Sequence, residues 1–174
     1  MPSPIGHGLG GLAVGWIVAE PPRAPRAAWM QAIIFAAVGA APDLDLLIGH
    51  HREAAHSVGA AAIVASVAAI MRWPVAPTRT RVWLAIFAAW ASHALLDALG
   101  TDTAPPVGIM AFWPFSHAYV MTAWHLFGPI SRRWHETGWI TGNIPVALHE
   151  MLIMAPVAAG VWIARRLSAR RRCR

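Results

Sequence analysis

His93 and Asp97 stand four residues apart inside the apolar run SHALLDALG. A helix would place both on one face about a turn apart, a spacing that suits two ligands of one metal ion. An aspartate in the apolar part of a bilayer costs roughly 2.5 to 3.5 kcal/mol on insertion scales, so a partner or a function is expected for it. The plain alternative is a satisfied structural pair in a helical bundle. Two other stretches carry the same residue types: PDLD at 42–45 and HHREAAHS at 50–57. Pro42 biases Ala41 away from helical backbone and tends to end or kink the preceding helix, which presents Asp43 and Asp45 at its end. Two residues apart, these carboxylates cannot point the same way on a helix. One is expected to bind metal while the other orients a ligand or caps a helix. His51 and His56 then lie at the start of the next apolar block, and His7 lies at the start of the first.

Together these residues bring nitrogen and oxygen donors from four separate helices to one depth: His7, Asp43 or Asp45, His51 or His56, His93 and Asp97. Such a donor set without thiolate suits zinc, one or two ions, ahead of manganese or iron. Bound zinc acidifies water to a pKa of about 7, and two metals about 4 Å apart can clamp both oxygens of a phosphoester displacement. The expected chemistry is hydrolysis, with Asp45 and Arg52 as the candidate catalytic residues. Arg52 could grip a phosphate through its planar fork, or be held in an ion pair with Glu53 or an aspartate.

The elements that must position these side chains follow from composition. Of the 174 residues, 57% are hydrophobic and 13% charged, and the apolar residues fall in five blocks near 5–19, 27–48, 55–71, 82–100 and 147–164. This is the layout of several membrane helices. The expected fold is therefore all-α: a polytopic membrane bundle of about five transmembrane helices, forming one embedded domain over 1–164, with a basic tail over 165–174. The first block is short, about 22 Å of helix. A long outer-side connection near 101–146 is expected to carry short helices, because structureless runs of that length are uncommon. With five spans, eleven of the fourteen arginines fall on one side, which the positive-inside rule makes cytoplasmic. Trp16, Trp29, Trp73, Trp83 and Trp162 lie near the same ends as an aromatic belt would. The N-terminus is then outside and the C-terminus cytoplasmic. All nine histidines and seven of the eight acidic residues fall toward the other side, a bias that the arginine rule does not explain.

The net charge of +6 comes from arginines that suit anionic lipid and orientation, so the expected partner is the bilayer and not nucleic acid. No positive segment precedes the first apolar block, which is not read as a removable signal peptide. The single cysteine, Cys173, excludes an internal disulfide and any multi-cysteine metal site.

A histidine ahead of the first apolar segment, then PDLD, then HR followed by HS, then SHALLD and a Pro/Gly-rich segment ending in WP, resembles the YdjM family of predicted membrane-bound metal-dependent hydrolases over roughly residues 5–116. That family is in turn distantly similar to the all-helical zinc-dependent phospholipase C group. The resemblance implies a membrane hydrolase in which His7, Asp43 or Asp45, His56, His93 and Asp97 are zinc ligands. The group's second helix carrying His and Asp four apart has no counterpart in this chain, so one or two metals are expected rather than three. The function expected is hydrolysis of a small-molecule or lipid-linked phosphoester at the outer face. The alternative is a non-catalytic metal-binding or scaffold membrane protein. Haem is disfavoured because carboxylates do not belong at its iron, and a transporter because the polar residues gather on one side.

Overall fold

The computed structural model describes residues 2–172 apart from 50, 104 and 132–134. Its helices are α1 (Pro4–Val18), α2 (Pro25–Ala40), α3 (Val58–Ile70), α4 (Arg79–Ala98) and α5 (Trp139–Arg172). No strand occurs among the described residues. The starts are marked by local chemistry. The hydroxyls of Ser3, Ser57 and Thr78 cap α1, α3 and α4 by accepting from the amides of Gly6, Ala60 and Arg81. Pro25, which has no amide hydrogen to waste, opens α2. At Pro42 the α-helical ladder gives way to a 3-10 turn over Ala41–Ile48, closed by Gly49 at a φ of 78°. A second short 3-10 turn, Ala54–His56, leads into α3.

Two stretches, Pro25–Leu47 and Trp139–Arg171, are long and apolar enough to cross a membrane; α1 and α3 are apolar but shorter. At 1.5 Å per residue, α1 and α3 reach only about 20 Å against a hydrocarbon core of about 30 Å. The five expected helices are therefore present, but five full-length spans are not established by length and composition.

The long connection differs from expectation. Among the described residues between α4 and α5 there is no helix, only turns, bends and isolated bridges pairing Gly100 with Phe127 and Ile109 with Val120. Pro105, Pro106, Pro114 and Pro129 remove donors and restrict backbone along the run, which works against any helix there. The last helix instead begins at Trp139, ahead of the apolar block at 147.

In the bundle, α1 packs on α2, α4 and α5, while α4 packs on α1, α2 and α3. The α1–α2 contact is backbone to backbone: a methyl on Gly11 would lie 2.6 Å from the Gly39 Cα and the Phe35 carbonyl oxygen, and one on Gly15 would enter the Phe35 ring. In a bilayer, where apolar burial drives little association, close approach through small residues is what holds helices together. Alanines do the same between α3 and α4, where Ala61, Ala65, Ala68, Ala85 and Ala89 are fully buried. At the arginine-rich end, Gln31 ties three segments together by donating to the carbonyls of Glu20 and Val75 and accepting from Arg165.

Candidate metal centre

The opposite end of the bundle gathers the polar residues. His7 comes from the first turns of α1, and His93 and Asp97 from the last turns of α4. Asp43 and Asp45 come from the 3-10 turn after α2, and His51 and His56 from the segment before α3. Trp90 holds that segment on α4 by donating its indole N–H to the Ala55 carbonyl at 2.9 Å. His7, His56 and His93 are fully buried and Asp97 is nearly so. The rings of His7 and His93 stack with centroids 3.6 Å apart, and His56 meets His93 edge-on at 4.6 Å.

Asp97 sits at the focus. Its Oδ1 is 3.3 Å from His7 Nε2, and its Oδ2 is 3.3 Å from the Nε2 atoms of both His56 and His93. Asp43 Oδ1 faces the same two nitrogens at 3.7 and 3.6 Å. Neither Asp97 oxygen nor any of those three Nε2 atoms makes a hydrogen bond, although all are buried. Leaving a buried polar atom unpaired costs about 1 to 3 kcal/mol, and more when charged, so five at one point call for a common partner. The nature of that partner follows from His93. Its Nδ1 lies 2.8 Å from the Gly39 carbonyl oxygen, which only accepts, so Nδ1 carries a proton. In the neutral ring, Nε2 then turns a lone pair toward the carboxylates of Asp43 and Asp97, an arrangement that could hold a metal ion between them. A metal-binding imidazole anchored through its other nitrogen is the usual pattern around such ions.

The donors form two groups, His7–His93–Asp97 and Asp43–His51–His56, each with its ligand atoms within 4.8 Å of one another. They touch along the His56–Asp97 and His93–Asp43 contacts, so the arrangement has room for one ion or an adjoining pair. The two carboxylates of PDLD divide as a 3-10 turn requires. Asp43 faces the shared centre, whereas Asp45, also buried, turns to the far side of the histidines, with Oδ1 2.7 Å from His51 Nδ1 and Oδ2 3.1 Å from His56 Nδ1. Asp45 also accepts the Arg52 amide at 3.2 Å. Burial disfavours the charged form of the His56 imidazole, yet the carboxylates of Asp43, Asp45 and Asp97 outweigh it and push the pKa up to about 9. A metal ion held there would take the place of that proton.

Of the other histidines, His117, His125, His135 and His149 are exposed, and His50 lies outside the described residues.

The family model for the YdjM inner membrane protein matches residues 1–171. The chain belongs to the YdjM family. No curated protein and no solved structure matches it. Membership makes this an inner-membrane-type protein and agrees with the resemblance carried by HR, HS and SHALLD. It assigns neither a metal nor a reaction.

Two residues near the centre escaped sequence reasoning. Asp102 forms an ion pair with Arg52, both side chains largely buried, and accepts from the Gly108 amide at 2.9 Å. Arg52 has a φ of 71°, and its carbonyl accepts from Met110, so the long connection is fastened to the rim of the site through this residue. Arg52→Ala should cost about 3 to 5 kcal/mol by stranding Asp102, and Arg52→Ala/Asp102→Ala should recover much of that loss. A double-mutant cycle of thermal or denaturant stability checks this, and additive losses would rule the pairing out as a source of stability. Glu150 is the other. Fully buried on α5, it accepts from the Ser3 amide at 2.9 Å and from the Ser3 hydroxyl, fixing the start of α1 one turn ahead of His7. Its signal was an acid inside the apolar block 147–164, the same signal that singled out Asp97.

Proposed function

We propose that this protein is a membrane-embedded, zinc-dependent hydrolase acting on a phosphoester, with a lipid-linked substrate favoured, at the outer face of the membrane. The observation that carries the reading is the buried convergence of His7, His56, His93 and Asp97 with their Nε2 and carboxylate atoms unpaired. In the proposed centre His7, Asp43, His51, His56, His93 and Asp97 supply ligands to one or two zinc ions, and Asp45 orients His51 and His56. Bound zinc would supply an acidified water for hydrolysis. Arg52, at the rim, orients the substrate side of the site. Asp43 and His51, with side chains 14% and 10% exposed, mark where solvent and substrate reach it. Leu44 and Leu47, on the turn that bears Asp43 and Asp45, are 64% and 82% exposed, an apolar rim suited to a lipid-borne substrate.

The enclosure of the centre also favours a second reading. Structural zinc sites are closed and catalytic ones keep an open position, so a purely metal-binding scaffold fits the full burial of three histidines. The deciding experiment is metal analysis of the purified chain followed by a phosphoester and phospholipid screen with and without chelator. Zinc with chelator-sensitive turnover supports the hydrolase; zinc without turnover supports the scaffold. Arg52→Ala should retain its metal and lose most of kcat/KM, a loss the added Asp102→Ala does not restore.

We further place α1 to α5 as five membrane-embedded helices in a single domain over 1–164, with the N-terminus outside and the basic tail over 165–174 in the cytoplasm. In a Cys173→Ser background, Pro77→Cys should react with an impermeant thiol reagent only after permeabilisation, whereas His117→Cys should react in intact cells. The reverse pattern would invert the topology.

A further inference from the structure

A cavity of about 700 Å³ opens between α1, α2 and α5 at the end of the bundle opposite the metal centre. Its volume falls within the range of ligand sites. Trp16, Trp29 and Trp162 wall it, and Arg23, Arg165 and Arg166 line its edge; no carboxylate lines this cavity, and the nearby Glu20 is paired with Arg81. Arg165 is held in place by donating to the Ala19 carbonyl and to Gln31 Oε1, both at 3.0 Å, and its guanidinium stands over the Trp16 ring at 5.4 Å. Its buried Nε finds no acceptor among the described residues. Arg166 stands over Trp162 at 5.0 Å. The site thus combines a concentrated positive charge, an orphan donor that asks for an anion, and an apolar aromatic wall.

A soluble phosphate would use the first two features and leave the wall unused. The wall belongs partly to α2 and α5, whose stretches are the two long and apolar enough to cross a membrane, so an amphiphile within the bilayer can enter sideways. Basic pockets between membrane helices are suited to anionic head groups. We propose that this cleft binds one anionic phospholipid, its phosphate among Arg23, Arg165 and Arg166 and its chain along the tryptophan wall. The site is independent of the metal centre, so either assignment can fail without the other.

The test is native mass spectrometry of the full chain, delipidated in a neutral detergent and titrated with phosphatidylglycerol or with phosphatidylcholine of the same chains. Phosphatidylglycerol should bind at least tenfold more tightly. Arg23→Gln/Arg166→Gln removes two exposed arginines from the cleft and should weaken that binding about tenfold or more, from the usual contribution of each basic residue to anionic lipid. Arg170→Gln/Arg171→Gln removes the same charge from exposed positions of the tail outside the cleft and should change it less than twofold. Inorganic phosphate should not displace the lipid. Equal affinity for the two lipids, equal losses in the two double variants, or displacement by phosphate would each overturn the proposal.

Discussion

Asp97→Ala and His93→Ala should each empty the proposed metal centre, lowering metal retention by more than the ten- to hundredfold that follows loss of a residue outside a ligand set. Asp97 is the expected extreme because a single carboxylate reaches His7, His56 and His93, each at 3.3 Å. Without it, three buried imidazoles lose the charge that gathers them. In the proposed centre His93 supplies one ligand atom and the anchor to Gly39, so its loss should be severe but should leave His7 and Asp97 facing each other. Either change also strands buried partners, a cost of about 3 to 5 kcal/mol. In a chain of this length that lowers Tm on the order of 10 °C. Metal stoichiometry and thermal stability measured side by side separate the two readings of the cluster. If stoichiometry stays as in the wild type while stability drops, His93 and Asp97 are a structural polar pair, and the metal centre and the hydrolase both fall.

Gly11→Val should unseat the same centre without touching a ligand. A Cβ at position 11 meets the Gly39 Cα and the Phe35 carbonyl at 2.6 Å, both backbone atoms that cannot swing away. Relief requires α1 and α2 to separate. Overpacking of this kind costs about 1 to 3 kcal/mol, and the rigidity of the contact places the expected loss at the upper end. The functional consequence should exceed the thermal one. His7 rides on α1 one turn before Gly11, and the Gly39 carbonyl on α2 fixes the His93 ring, so separating the helices pulls the stacked imidazoles out of register. Metal retention should fall about tenfold or more. Gly142→Ala on α5 is the control: nothing lies within 4 Å of the added carbon, and alanine in a helix interior should be neutral or stabilising by up to about 1 kcal/mol. A Gly11→Val protein as stable and as metal-loaded as the Gly142→Ala protein would show that the close contact does not position the site.

Much of this protein was legible in its sequence because apolar blocks and intramembrane polar residues are local signals. The five helices follow from runs of Ala, Leu, Ile and Val, although the caps at Ser3, Ser57 and Thr78 and the start of α5 at Trp139 came from the structure. His93 and Asp97 announce themselves because the i to i+4 spacing needs no knowledge of any other element. Pro42 foretells the end of α2, and with it the divergence of Asp43 from Asp45. The separate roles of those two carboxylates could be posed as alternatives but not assigned, since that choice depends on where His51 and His56 stand.

Relations between distant segments were decided only by the tertiary structure. The Arg52–Asp102 pair joins residues fifty apart, Glu150 meets Ser3 across most of the chain, and Gly39 orients His93 through a carbonyl that every residue possesses. None of these leaves a periodic trace. The connection after α4 was misjudged because its length argued for helix while its prolines argued against, and steric exclusion prevails over an average tendency. By itself, then, the sequence determined which residues lie in apolar helices and which donors stand at their ends. The close approach of α1 to α2, possible because Gly11 and Gly39 have no side chains to hold the backbones apart, decided that donors from four segments share one buried point.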